Sequence, residues 1–303
     1  MRRSNNKILL IVFIVLVAGF VITRVFRAPS RERNIDETLM AIDTAKVSAI
    51  HISPVVEKGT EIRLLRTGKQ WQIQRGGRKA DPEMAQIRKA LGSLVSLGAD
   101  RVLTRKKESW ANYHVDSTAT HVSVTLDAND TKEFWVGKLD GGGSSVRLKD
   151  DNNVYAVDAS FEGTFNRKFT EWRNKTFVTV QPEKISKITF QYPGDSSFVL
   201  TRSENKWAAG DAAADSSKVQ TYLNRFRSLS LRDFADDFTR PNEPALTVTL
   251  HDEQKKTITV QGWKVAEDRW VLNSSQHNDV YFSSDEASLI REVFAGKKWF
   301  MGK

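Results

Sequence analysis

The longest apolar stretch of the chain runs from Ile8 to Thr23, ILLIVFIVLVAGFVIT, without a charge. Extended to Phe26, with Arg24 snorkelling, it predicts a helix of about 28 Å, close to the roughly 30 Å hydrocarbon core of a bilayer. A cleaved signal peptide would have a shorter core and a small-x-small end. Here the run closes on Phe20-Val-Ile-Thr-Arg24, so it reads as an uncleaved anchor crossing the bilayer through residues 8–26. Residues 28–44 are polar and read as a tether with one helical turn near Asp36.

Beyond the tether one pattern of apolar positions occurs twice, the signature of an internal duplication. VSAIHIS opens the first pass and ISKITFQ the second, at a shift of 138 residues. Strand-turn-strand blocks follow, with Arg66 five residues before Trp71 and Arg202 five before Trp207, at a shift of 136. Ala80-Asp81 and Ala214-Asp215 come next. Asp81 predicts an N-cap, with Pro82 at the first helical position and Glu83 in the first turn. Ile87, Leu91, Leu94 and Leu97, like Val219, Leu223, Phe226 and Leu229, then share one helical face. Alternating strands close each pass: Val122, Val124 and Leu126 align with Leu246, Val248 and Leu250 at a shift of 124. Val146-Arg-Leu148 is matched by Trp270-Val-Leu272, and Val154-Tyr155 by Val280-Tyr281. The predicted fold is α+β: a single transmembrane helix, then two tandem β-rich repeats, each of antiparallel strands with one main amphipathic helix. The expected divisions are 1–27 (cytoplasmic tail and anchor), 28–44 (tether), 45–180 (first repeat) and 181–303 (second repeat).

This order of blocks resembles the domain-of-unknown-function 4340 family. The pieces that carry the resemblance are the apolar N-terminal span, the strand-turn-Trp unit and the Ala-Asp before a leucine-spaced helix ending Ser96-Leu-Gly-Ala-Asp-Arg-Val102. Trp110-Ala-Asn-Tyr-His-Val-Asp116, the Val136-Gly137 turn and Val154-Tyr-Ala-Val157 complete it. The resemblance implies a bacterial envelope protein, since some members are encoded with or fused to components of gliding-motility-type ABC transporters. It implies no catalytic residues. The second pass has Phe238-Thr-Arg-Pro-Asn-Glu-Pro244 where the Trp110–Asp116 piece stands in the first.

Composition and charge narrow the classes. The 303 residues include no cysteine, which excludes disulfides, thiolate metal sites and a cysteine nucleophile. Of the net charge of +9, residues 1–34 hold +6, leaving +3 for the rest. That balance lacks the electrostatic footprint of a nucleic-acid binder. Basic residues flank the anchor on both sides, so charge does not decide its orientation. The short basic tail is expected to place the N-terminus in the cytoplasm and the large domain outside it, and the resemblance implies that the membrane is the bacterial inner one.

Candidate chemistry is sparse. The five histidines show no helical ligand spacing, and Asp150-Asp151 and Asp236-Asp237 lack the pattern of a calcium loop, so no metal or cofactor is expected. No Gly-x-Ser-x-Gly elbow or phosphate-binding Gly-Lys-Ser/Thr occurs. Trp71 and Trp207 are expected in the core, whereas Trp110, Tyr113, Trp172 and Trp263 lie in more polar company and are the candidate interaction surface. The expected function is therefore that of a non-enzymatic, membrane-anchored extracytoplasmic binding or accessory subunit of an envelope complex, an ABC permease among the partners. The rivals are a structural envelope protein holding glycan or protein through exposed aromatics, and an envelope hydrolase with an unrecognised site.

Overall fold

A computed structural model of the chain describes residues 37–127, 130–204, 206–241 and 243–301, together with Phe13 and Leu16. Apart from Phe13 and Leu16, the anchor read at residues 8–26 lies outside these residues, as does the tether up to residue 36. Among the described residues, no helix is long and apolar enough to cross a membrane. The chain divides into two compact units, Met1–Arg173 and Asn174–Lys303. Both are β-rich with few helices, an α+β fold.

The first unit contains β1 (Glu37–Met40), β2 (Val47–Ser53), β3 (Ile62–Thr67), β4 (Gln70–Arg75), β5 (Arg78–Ala80), β6 (Leu97–Ala99), β7 (Arg101–Thr104), β8 (Thr120–Leu126), β9 (Thr131–Lys138), β10 (Ser144–Leu148) and β11 (Val154–Val157). Its helices are α1 (Met84–Val95), α2 (Phe161–Phe165) and α3 (Phe169–Trp172). Nine strands form one antiparallel sheet in the order β5-β4-β3-β2-β8-β9-β10-β11-β7, while β1 pairs separately with β6. Alternation decides the faces: Val122, Val124, Phe134, Val136 and Val146 are buried, and α1 turns Ile87, Ala90 and Leu94 into the same core. The polar positions between them face the other side of the sheet.

The second unit repeats this order. Its strands are β12 (Thr176–Val178), β13 (Ile185–Gln191), β14 (Phe198–Ser203), β15 (Lys206–Ala209), β16 (Ala212–Ala213), β17 (Leu229–Ser230), β18 (Asp233–Phe234), β19 (Leu246–Asp252), β20 (Thr257–Lys264), β21 (Trp270–Ser274) and β22 (Tyr281–Ser284). The sheet runs β16-β15-β14-β13-β19-β20-β21-β22-β18, and β12 pairs with β17. Its helices are α4 (Ser216–Arg225), α5 (Ala287–Val293) and α6 (Lys297–Phe300).

Cross-strand partners fix which residues correspond. Trp71 pairs with Arg66, and Trp207 with Arg202. Both arginines reach back to carbonyls of the loop before the first long strand, Arg66 to Ala45 and Arg202 to Glu183, at 3.0 and 2.9 Å. The shift falls from 136 at Trp71 and Trp207 to 132 at Ile87 and Val219, and the drift has a simple cause. The hairpin β4-β5, with Ile73 opposite Ala80, is longer than its counterpart β15-β16, with Ala209 opposite Ala212.

Four expectations change. First, Glu37–Met40 is a strand, not a helical turn, and buries Met40 against β6, so the tether ends before residue 37. Second, the unit boundary falls at residue 174 instead of 181, because Phe177 and Val178 are wholly buried in the second core. Third, the cap of α1 is Glu83 and not Asp81. The Glu83 N–H donates to the Trp172 carbonyl at 2.7 Å, which holds Pro82-Glu83 extended and delays the helix to Met84. Asp215 is pinned to the Phe300 carbonyl in the same way at 2.8 Å, making Glu83 its counterpart. Leu97 and Leu229 fall in strands beyond the helices.

The fourth correction concerns register. Ile52 lies opposite Val122 and Phe190 opposite Val248, so the later strands correspond at a shift of 126. The alignment read from the pattern is two residues out. Because side chains alternate with period two, a two-residue slip leaves every buried position buried, and the hydrophobic pattern cannot detect it. The last strand is one residue out: Tyr155 corresponds to Phe282.

Candidate functional site

The outer, polar face of the first sheet carries a row of side chains on three neighbouring strands. His121 lies opposite Trp135, and Trp135 opposite Arg147. The His121 and Trp135 rings stack with centroids 4.7 Å apart. On the other side of Trp135 the Arg147 guanidinium lies 3.8 Å from the ring centre. Above the same guanidinium, at 3.9 Å, is the ring of Trp110, with the Lys107 ammonium 5.3 Å from that ring. An arginine between two indoles is held by cation–π attraction and planar stacking.

Trp110 reaches this position because residues 107–119 fold back over the sheet between β7 and β8. Two short 3-10 turns, Lys107–Ser109 and Ala111–Tyr113, shape the segment, and His114 closes the second in a left-handed conformation. Hydrogen bonds from four side chains tie it down. Ser145 Oγ donates to the Tyr113 carbonyl at 2.6 Å, and Arg147 Nε to the Val115 carbonyl at 3.0 Å. Trp110 Nε1 donates to the Asn152 carbonyl at 3.0 Å, and Tyr113 Oη to that of Leu103 at 3.3 Å. The close approach needs Gly137, where an added Cβ would lie 2.2 Å from the His114 carbonyl oxygen. The Asp150–Asn153 cluster is the turn between β10 and β11, and its Asp151 accepts the Tyr155 hydroxyl at 2.6 Å.

Between this segment and the loop after β2 opens a cleft of about 960 Å³, within the ordinary range for ligand sites. Lys58, Lys107, Asp116, Thr118, His121 and Arg147 are among its polar lining residues. Asp116 is engaged, accepting the Thr118 hydroxyl at 2.7 Å and the Thr118 N–H at 2.9 Å. Those two bonds, with smaller contributions from His114 and Arg147, hold its carboxyl below the usual range. Arg147 is 4% exposed. Burial lowers its pKa from the ordinary value, opposed by the Asp116 charge, but a guanidinium stays protonated at any physiological pH. At the end of the row, Glu133 takes hydrogen bonds from Lys149 and His121, and these lower its pKa against the opposing effect of burial.

Of the four aromatics expected at the surface, the structure brings Trp110 and Tyr113 together in this segment, both half-buried. Trp172 and Trp263 are 0% and 3% exposed in their own units, so neither offers a ring face to solvent. Trp263 corresponds to Gly137 and packs against Phe238 and Tyr281. The row His121-Trp135-Arg147 corresponds to Thr247-Gln261-Asn273, so the second unit does not repeat it. Pattern reading did not bring Arg147 and Trp135 together, because they lie on different strands and meet only through the pairing of β9 with β10. Among the described residues no cluster of His, Asp or Glu is placed to hold a metal ion.

No curated protein and no solved structure matches the chain. The family model described as "Domain of unknown function (DUF4340)" matches residues 76–248, a span that takes in the later part of the first unit, including the whole 107–119 segment, and the beginning of the second. That is more than half of the sequence, and the chain belongs to the DUF4340 family.

Proposed function

We propose that the protein is a binding or accessory subunit, tethered by residues 8–26 to the bacterial inner membrane with its two units outside the cytoplasm, and working beside an envelope complex of the ABC-permease kind. The observation that carries a binding role is the 107–119 segment. Two units of one topology differ there, and in the first the segment borders a cleft lined by the buried Arg147. The membrane placement rests on the uncharged run Ile8–Thr23. Residues 28–36 span at most about 30–35 Å even fully extended, which keeps the first unit near the bilayer and within reach of a permease's outer loops. Short tethers raise the effective concentration of a weak partner to about the millimolar range.

One experiment addresses both halves of the proposal. Single cysteines are placed at Ser4 and Gly141 in a chain that otherwise has none; an added Cβ at Gly141 meets nothing within 4 Å, whereas Ser144 is wholly buried and unsuited to labelling. An impermeant thiol reagent applied to intact spheroplasts should label position 141 and spare position 4. A bifunctional reagent at position 141 should then recover subunits of a permease. Labelling at position 4 alone would overturn the topology, and labelling at 141 without any permease subunit would overturn the accessory role.

A further inference from the structure

The geometry points to an oxyanion site in the first unit: the cleft over Arg147 takes a ligand carrying a carboxylate or phosphate group, recognised by the Arg147 guanidinium with Lys58 and Lys107 at the rim. The inference rests on the reading of this cleft as a binding site and names the chemistry of its ligand.

Arg147 is enclosed to 4% exposure, and its Nε is used in holding the Val115 carbonyl. Its terminal nitrogens make no hydrogen bond or ion pair with any described residue, and Arg147 is among the residues that line the cleft. A buried cation ordinarily has a carboxylate partner. The carboxylate at hand, Asp116, is within electrostatic reach of Arg147 but makes no ion pair with it, and its Oδ1 takes both hydrogen bonds from Thr118. The guanidinium thus keeps donors unspent beside the cleft, and an arginine fork of this kind fits carboxylate or phosphate oxygens. Lys58 and Lys107 add two further cations at exposed positions, so positive charge exceeds negative in the lining.

The stacking that fixes Arg147 also bears on the alternative of sugar binding through aromatic faces. Trp135 has one face on His121 and the other on Arg147. Trp110 covers Arg147 with one face and carries Lys107 over its ring. A neutral sugar therefore finds no open indole face on Trp135 and a cation already over Trp110, whereas an anionic group finds a preorganised donor. The sandwich adds rigidity, so little side-chain entropy remains to be lost on binding.

The test is calorimetric titration of the full chain in detergent micelles. Inorganic phosphate and glucuronate represent free anions, with glucose as the neutral control. Short-chain phosphatidylglycerol against the matching phosphatidylcholine represents a lipid headgroup. Saturable binding in either anionic arm, absent with glucose and phosphatidylcholine, is expected, and the arm that responds identifies the source. Arg147→Gln should weaken it by about ten- to a hundredfold, the loss of charge-assisted hydrogen bonds. Because Arg147 also supports the fold, Lys107→Gln and Lys58→Gln provide the second reading: each should weaken binding several-fold while leaving the thermal midpoint unchanged. No binding in either arm, or binding indifferent to all three substitutions, would overturn the assignment. Anion binding without a permease partner would leave this inference standing and remove the accessory role; the converse would do the opposite.

Discussion

At the scale of single residues, the two units differ through a few exchanges on one sheet face. Gly137 stands where the second unit has Trp263, and Arg147 where it has Asn273. Asn273 donates to the carbonyls of His277, Asn278 and Val280, and so stabilises its own turn. Arg147 instead reaches across to a segment that only a glycine at 137 admits. Gly137→Ala should therefore cost about 1–3 kcal/mol, since backbone must move to relieve the overlap. Chemical denaturation measures this directly, with Gly141→Ala as the control expected within about 0.5 kcal/mol of the parent. Equal midpoints for the two variants would mean that residues 107–119 do not lie on the sheet as described.

At the scale of elements, the two main helices show how far local rules reach. Apolar spacing located both helices, and Ile87, Leu94, Val219 and Leu223 are buried as that spacing requires. Their starts were decided elsewhere. The sequence Asp81-Pro82-Glu83 satisfies every local rule for a helix beginning at Pro82, yet the bond from Glu83 N–H to the Trp172 carbonyl prevails. Asp215 accepts two backbone N–H groups, from Ser217 and Lys218, whereas Glu83 accepts one, from Ala85 at 3.3 Å. Asp215→Ala should accordingly cost about 0.5–2 kcal/mol, the ordinary range for a lost cap. Glu83→Ala should cost less, and the exposed Asp81→Ala should stay within about 0.5 kcal/mol. Thermal denaturation of the three variants gives the ranking; a large loss at Asp81 would restore it as the cap.

At the scale of the molecule, each unit closes a core of its own, and the chain between them is assigned by what it buries. Phe177 and Val178 lie wholly inside the second core, and Leu231 N–H donates to the Lys175 carbonyl at 2.9 Å. A fragment of residues 174–303 should therefore fold, with a cooperative denaturant transition and dispersed amide resonances. A fragment of residues 181–303 loses three buried side chains, Phe177, Val178 and Val180, worth roughly 1.5–3 kcal/mol each, a large share of a typical domain's stability. It should be strongly destabilised or unfolded. Equal stability of the two would move the boundary back to 181.

The sequence by itself determined the duplication, the α+β class, the family and the buried face of nearly every strand. Each is written in the period and order of apolar residues, which survive drift because burial constrains them directly. Legible too was the difference between the passes at Trp110–Asp116, as a block present once. What only the tertiary structure decided was the alignment of the later strands, the helix caps and the site. A period of two cannot distinguish a register from its neighbour two residues away, and a cap depends on a carbonyl some ninety residues distant in sequence. Lys107, Trp110, Trp135 and Arg147 come from three separate stretches of chain, each ordinary in its own surroundings. They become a site when three adjacent strands and a returning segment place one cation between two indoles.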